Sequence, residues 1–230
     1  MRRSLHWALL ALAFAGCRSA DGDDTPDATG GGDAPGVPTA ADLLAKLATC
    51  DPVAGGPFAA DSGGTADVSI CSYAGALFWK ADLDVDCDGK ETPQCNLTTD
   101  PAFQAQTAAT DSNGDFLDAA ALPFVVVPGI SSRFDFTAAG LAMGSVVAVI
   151  YQDRVEYGPL GDIGPTAIIG EASYAMAAAL GIDPDPSTGG VESGVAYIAF
   201  PNTDVAPIES HDAAVQLGIA RARDLLMHIH

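Results

Sequence analysis

What most constrains the fold of this 230-residue chain is a series of short β-branched runs cut by glycine and proline. Ser145–Tyr151 and Val155–Tyr157 read as strands joined by a polar turn at Gln152–Arg154. Leu122–Pro128 is a continuous apolar run bounded by prolines, and Val195–Phe200 is another apolar run; both suit buried strands. Gly161-Asp162-Ile163-Gly164-Pro165 reads as a tight irregular turn, followed by a short apolar strand at Ala167–Ile169. Helical patterning is confined to Ala41–Ala48, an Ala-rich run after Ser173 ending at Gly181, and Ala213–Met227 with Val215, Ile219 and Leu226 packing inward. The pattern predicts a mainly β fold with a few peripheral helices. At 48% hydrophobic content one sizeable core, and so one main domain, is the natural count.

Two acids stand out against this background. Asp162 lies in the Gly-Pro segment and Glu171 in Gly170-Glu171-Ala172-Ser173, at consecutive strand-to-turn junctions where they can face one another across a sheet surface. A pair of carboxylates flanking a bond is the minimum equipment for hydrolysing a glycoside. Plainer uses exist: an Asp in such a turn satisfies local N–H groups, and a Glu near a helix start complements the helix dipole.

The densest acidic cluster is Asp82-Leu83-Asp84-Val85-Asp86-Cys87-Asp88-Gly89. As a strand it places Lys80, Asp82, Asp84 and Asp86 on one face, a substrate-gripping rail with Trp79 at its start and Trp79 or Phe78 available to stack on a sugar. As a metal loop it matches the opening of a calcium site, but position twelve is Cys95 rather than Glu. As a solvated edge it simply turns at Asp88-Gly89. The three readings stay open.

The first 16 residues, two Arg followed by the apolar run Trp7–Ala15, read as a bacterial signal peptide. Small residues precede Cys17 as in a lipobox, so Cys17 is expected to carry the lipid that forms the only membrane attachment. Arg18 follows Cys17, which points to the outer membrane or cell surface rather than inner-membrane retention, with plain secretion as the alternative. Residues 17–39 are expected to form a lipidated, acidic flexible linker and 40–230 the folded domain. Four further cysteines, Cys50, Cys71, Cys87 and Cys95, are an even number in an exported chain and argue for disulfides. Three pairings are possible; Cys50–Cys71 with Cys87–Cys95 is the least demanding sterically. A zinc site is disfavoured because paired Cys-x-x-Cys elements and a nearby His are lacking.

Charge narrows the ligand. From Ala34 onward, 25 Asp and Glu face 7 Lys and Arg, a formal −18. That excludes nucleic acid, which needs clustered cations, and disfavours anionic polysaccharides. It suits a polycation, whose encounter rate the field would raise.

The chain resembles the fungal-type chitosanases, glycoside hydrolase family 75. The likeness runs in order through ALFWKADLDVDCDG (76–89), Gln106-Thr107, LDAAALPFVVVP (117–128), GSVVAVIY (144–151), YGPLGD (157–162), IGEAS (169–173) and GIDPDPSTGGVESGVAYIAF (181–200). The resemblance implies internal hydrolysis of β-1,4 bonds in chitosan with inversion, Asp162 and Glu171 being the catalytic pair and no cofactor or metal being required. It implies a carboxyl separation of roughly 6.5–9.5 Å. A second likeness, GDIGPTAIIGEASYAMAAALGI (161–182), is to double-psi β-barrel proteins such as rare lipoprotein A and the expansins. It implies a six-stranded double-psi-like β-barrel with an open groove floored by Asp162. Two other functions go with that likeness, a non-catalytic expansin-like polysaccharide binder and a peptidoglycan-acting barrel. A monomer is expected.

Overall fold

The computed structural model describes residues 36–53 and 55–228. The expected signal peptide, the expected lipidation site at Cys17 and most of the expected linker lie outside the described residues. Among these described residues, ten strands and three helices follow in order. They are α1 (Ala40–Lys46), β1 (Asp51–Pro52), β2 (Phe58–Ala59), β3 (Ala66–Val68), β4 (Cys71–Tyr73), β5 (Ala76–Asp86), β6 (Val125–Pro128), β7 (Val146–Tyr151), β8 (Arg154–Gly164), β9 (Glu171–Ser173), α2 (Tyr174–Leu180), β10 (Val191–Ala199) and α3 (His211–Met227).

Six strands close on themselves in the order β5-β10-β7-β8-β6-β9 and back to β5. The expected six-stranded, mainly β barrel is therefore present, with three helices outside it. Two of its seams, β5–β9 and β6–β8, are parallel and the rest antiparallel. The connection from β5 to β6, which are separated in the barrel by β9, is the 87–124 excursion, stapled by the Cys87–Cys95 disulfide. Cys50–Cys71 fastens the chain after α1 to β4. Both bridges are the pairing expected from spacing.

Alternation along β5 shows how the barrel is filled. Leu77, Trp79, Ala81 and Leu83 point inward and join Val125, Val147, Val149, Leu160, Val195 and Tyr197 in the central core. Phe78 points outward but is covered, packing with Val146, Ile150, Ile198 and the helices α1 and α3. Apolar burial on both faces is why β6 and β7 read as unbroken hydrophobic runs. Each helix begins on a side-chain cap: Thr39 for α1, Ser173 for α2 and Ser210 for α3, each accepting from a backbone N–H of the first turn. The inward face of α3 differs from expectation. Its centre is Ala214, Gly218 and Ala222, with Val215, Ile219 and Leu226 only partly buried at the flanks, so small residues let the helix lie close on the sheet.

The Gly161–Pro165 segment also departs from its reading as a turn. It continues β8 as far as Gly164, paired in parallel with β6. The glycine is there for contact rather than for turning: a Cβ at Gly161 would sit 2.7 Å from the Phe124 ring. The strand expected at Ala167–Ile169 reduces to a single bridge between Ile168 and Ala59.

Candidate active site

A bulge decides where Asp162 points. Val125 is opposite Leu160, but the next residue, Val126, is opposite Asp162, so Gly161 is an extra residue in β8. Leu160 and Val125 share the barrel interior, whereas Val126 packs with the outer cluster under the 87–124 excursion. Strict alternation would have sent Asp162 inward after Leu160. The inserted residue turns it to the outer wall, a common use of bulges next to functional sites. The excursion then fixes it. Ala109 N–H donates to the Gly161 carbonyl at 3.0 Å, and Ala108 N–H to Asp162 Oδ1 at 2.7 Å. The buried Thr107 hydroxyl holds that loop, donating to Ala109 O and accepting from Leu117 N–H.

Glu171 reaches the same wall from the other side of β6. It is opposite Asp84 across the β5–β9 seam, while the following Ala172 is opposite Val85 and faces the core. Ser173 locks the strand end: its hydroxyl donates to Leu122 O and accepts from Phe124 N–H, both at 2.9 Å. Glu171 lies against Gly164, with Oε2 only 2.5 Å from where a Cβ there would stand.

Asp162 and Glu171 line one open cleft of about 590 Å³. Asp84, Asp86, Asp88 and Gln104 line it too, with Pro186, Ser187 and Gly189 from the loop after α2 along its edge. Among the residues lining it there is no cation, so the carboxylates shift one another. Burial first, then the charges of Asp84, Asp162, Asp88 and Asp82, push Glu171 up to about 7. Burial raises Asp162 as well, opposed by the N–H groups of Ile163 and Ala108, which favour its ionised form. Asp88 rises to about 6, chiefly through burial. Asp86 is pushed well up, by burial above all; its Oδ1 accepts from Asp88 N–H and its Oδ2 is buried without a hydrogen bond among the described residues. Two carboxylates flank open space here. On Asp162 backbone donors oppose the rise that burial causes, whereas Glu171 is raised to about 7, so the two environments differ.

The expected rail divides. Asp84 and Asp86 line the cleft, whereas Lys80 and Asp82 line a neighbouring groove. Lys80 Nζ donates to Leu47 O at 2.9 Å. Trp79 is not in the rail. It is 2% exposed and stacks on Tyr197 inside the barrel, ring centroids 5.1 Å apart, because an odd position on β5 faces the opposite side from the even acids. Phe78 shares the rail's parity but is buried beneath the helices, so neither aromatic can meet a sugar. Sequence reasoning missed Gln104 and the Ala108 N–H, which no composition signal marks. It read Asp88 only as part of a turn or metal loop, although the period-two spacing of Asp82, Asp84 and Asp86 already extended to it.

A barrel carrying a carboxylate pair in an open acidic cleft has the equipment of a glycoside hydrolase. Residues 83–222, more than half of the chain, match the model of the fungal chitosanases of glycosyl hydrolase group 75, and the chain belongs to that family. It is 33% identical over 143 residues to an endo-chitosanase of Aspergillus oryzae, covering 57% of this chain and 58% of that protein. With endo-chitosanase B of the same fungus it shares 33% over 136 residues, 56% of each chain. With an endo-chitosanase of Aspergillus fumigatus it shares 30% over 133 residues, 54% of this chain and 56% of that one. The chain thus spans less than two thirds of the length of these relatives.

Proposed function

We propose that this protein is an endo-acting chitosanase that hydrolyses β-1,4 bonds between glucosamine units with inversion. The observation that carries the reading is the presence of Asp162 and Glu171 in one solvent-open cleft on the outer wall of the barrel. Glu171, protonated up to about pH 7, gives its proton to the glycosidic oxygen as the C1–O bond breaks. Asp162, oriented by the two N–H groups on its Oδ1, takes a proton from the water whose oxygen attacks C1 from the opposite face. The sugar leaves with the α configuration. Asp84 and Asp88 supply negative charge along the cleft for the ammonium groups of the polymer, with the buried Asp86 carboxyl between them as a hydrogen-bonding group. Their like-charge neighbourhood would be relieved by a cationic chain and worsened by an anionic one.

Two cleft carboxylates favour this reading over an expansin-like binder, which needs only one. The acidic lining favours it over a peptidoglycan-acting barrel, whose substrate offers no comparable cationic array. The two disulfides fit an oxidising compartment and so an exported protein. In this reading the domain acts as a monomer outside the cytoplasm, tethered by a lipid on Cys17. Palmitate labelling that persists in a Cys17→Ser variant would remove the tether from the proposal.

The test of activity is incubation with partially acetylated chitosan, following chain length by size-exclusion chromatography and product anomers by proton NMR. A rapid fall in mean length with α-anomers appearing first is the expected result. Release of single terminal sugars would remove the endo assignment, and initial β-anomers the inverting one. Binding without new reducing ends would return the protein to the binder class.

A further inference from the structure

A second cluster of acids lies outside the catalytic pair. Asp61, Asp82 and Asp84 each offer a carboxylate oxygen, and the three oxygens lie within 4.8 Å of one another. Oxygens this close can share one calcium ion at ~2.4 Å after small side-chain rotations. Asp61 comes from the β2–β3 loop, Asp82 and Asp84 from β5, and Glu192 lines the same groove.

Asp82 is the member that asks for a partner. It is 4% exposed, and its Oδ1 is buried with no hydrogen bond among the described residues. The room for that oxygen is made by Gly170, at φ +127, where a Cβ would stand 1.9 Å from it. The Tyr197 hydroxyl, reaching through the wall from the core, donates to the Asp82 carbonyl at 2.8 Å and sits 3.2 Å from the Gly170 carbonyl. Backbone is thus fixed on both sides of the carboxylate. The loop that carries Asp61 is pinned as well, by fully buried Phe58 and by the bridge from Ala59 to Ile168. The one cation lining the groove, Lys80, spends its Nζ on Leu47 O. Burial, then the charge of Asp84, push Asp82 up to about 7. A buried carboxylate crowded by like charges is costly unless it is protonated or paired.

We propose that Asp61, Asp82 and Asp84 bind one hard divalent cation, calcium in preference to magnesium, and that this ion ties the β2–β3 loop to the barrel beside the cleft. Oxygen-only ligands select a hard ion. Three carboxylates on a strand and a loop suit calcium, which accepts irregular shells, better than magnesium, which demands a near-ideal octahedron. Three protein ligands leave the rest of the shell to water, so the affinity belongs in the range of roughly 10⁻⁴–10⁻³ M typical of extracellular modules.

The full chain, stripped with a chelator, is titrated with CaCl₂ and separately with MgCl₂, reading stoichiometry by calorimetry and Tm by thermal scanning. One equivalent of calcium should bind, raising Tm by roughly 3–6 °C at ten times Kd, with magnesium weaker. Asp61→Asn, at an exposed loop position, should abolish the rise without lowering the cation-free Tm, and Asp82→Asn should abolish it too. No rise at about 10 mM calcium, or an undiminished rise in both variants, overturns the proposal. So does a rise produced by glucosamine and not by calcium, which would mark an amine-binding groove. Chitosan hydrolysis is not the readout, so this site and the catalytic reading stand or fall separately.

Discussion

The barrel has two covered walls, and they are covered in different ways. Over β7, β10 and the start of β8 lie α1 and α3, and Val146, Ala148, Ile150, Tyr157, Ala196 and Ile198 pack together beneath them. Over β6, β9 and the ends of β5 and β8 lies the disulfide-stapled excursion, which packs Phe103, Leu117, Leu122 and Phe124 at its base but leaves an acid-lined cleft beside them. The strands on the two walls are alike; the cover differs. A helix presents a continuous surface and seals, whereas an irregular loop offers backbone N–H groups to orient carboxylates and leaves space between them. One wall serves stability and the other chemistry.

The comparison breaks most readily at the cleft. Glu171→Gln and Asp162→Asn should each lower the rate of chitosan hydrolysis by about 10²–10⁴-fold while Tm stays the same or rises. A variant retaining a tenth or more of the wild-type rate takes its residue out of the mechanism. Next comes the staple. Replacing Cys87 and Cys95 with Ser should cost about 2–3 kcal/mol in denaturant unfolding, from the short loop that the bridge closes. It should also lower kcat, because Ala108 would no longer be held against Asp162. Unchanged kcat would mean that the excursion orders itself without the bridge. On the sealed wall, Ala222→Leu should cost about 1–3 kcal/mol by overpacking and leave kcat near wild type; a large loss of kcat would show the walls to be coupled.

The smallest effect is the pH dependence of stability. Glu171 and Asp88 sit above their unfolded values in the native state, so the folded protein binds more protons than the unfolded one. Their contribution is complete below about pH 4 and is lost as pH rises through about 6 and 7. Tm measured without added divalent cations should therefore fall between pH 5 and pH 8, and Glu171→Gln should flatten the fall. Activity should be bell-shaped, its alkaline limb near pH 7 set by Glu171.

Much of this was legible in the chain. The apolar runs marked β6, β7 and β10 because both faces of those strands are covered, and apolar spacing, the Ala-rich run and Gly181 marked the helices. Cysteine spacing gave the disulfides, and the two acids were visible because they stand in an otherwise apolar or glycine-rich stretch. What was hidden depends on distant contacts. Gly161 and Gly164 look like turn residues in isolation, yet they serve strand packing against Phe124 and Glu171. Asp61 is 21 residues before Asp82, and long-range contacts bring its loop to β5: the bridge of β2 to Ile168 and the burial of Phe58 and Val68 in the central core. Trp79 was misplaced although the clue was local: one step of strand parity separates it from the acids beside it.

The extra residue in β8 has a consequence for how such a site arises or is lost. Deleting Gly161 would restore plain alternation and still leave Asp162 opposite Val126 on the outer wall, but the carbonyl that receives Ala109 N–H would go with it. The carboxylate would keep its side of the sheet and lose its alignment with the loop whose Ala108 N–H holds it. A single-codon deletion would thus loosen the acid rather than bury it.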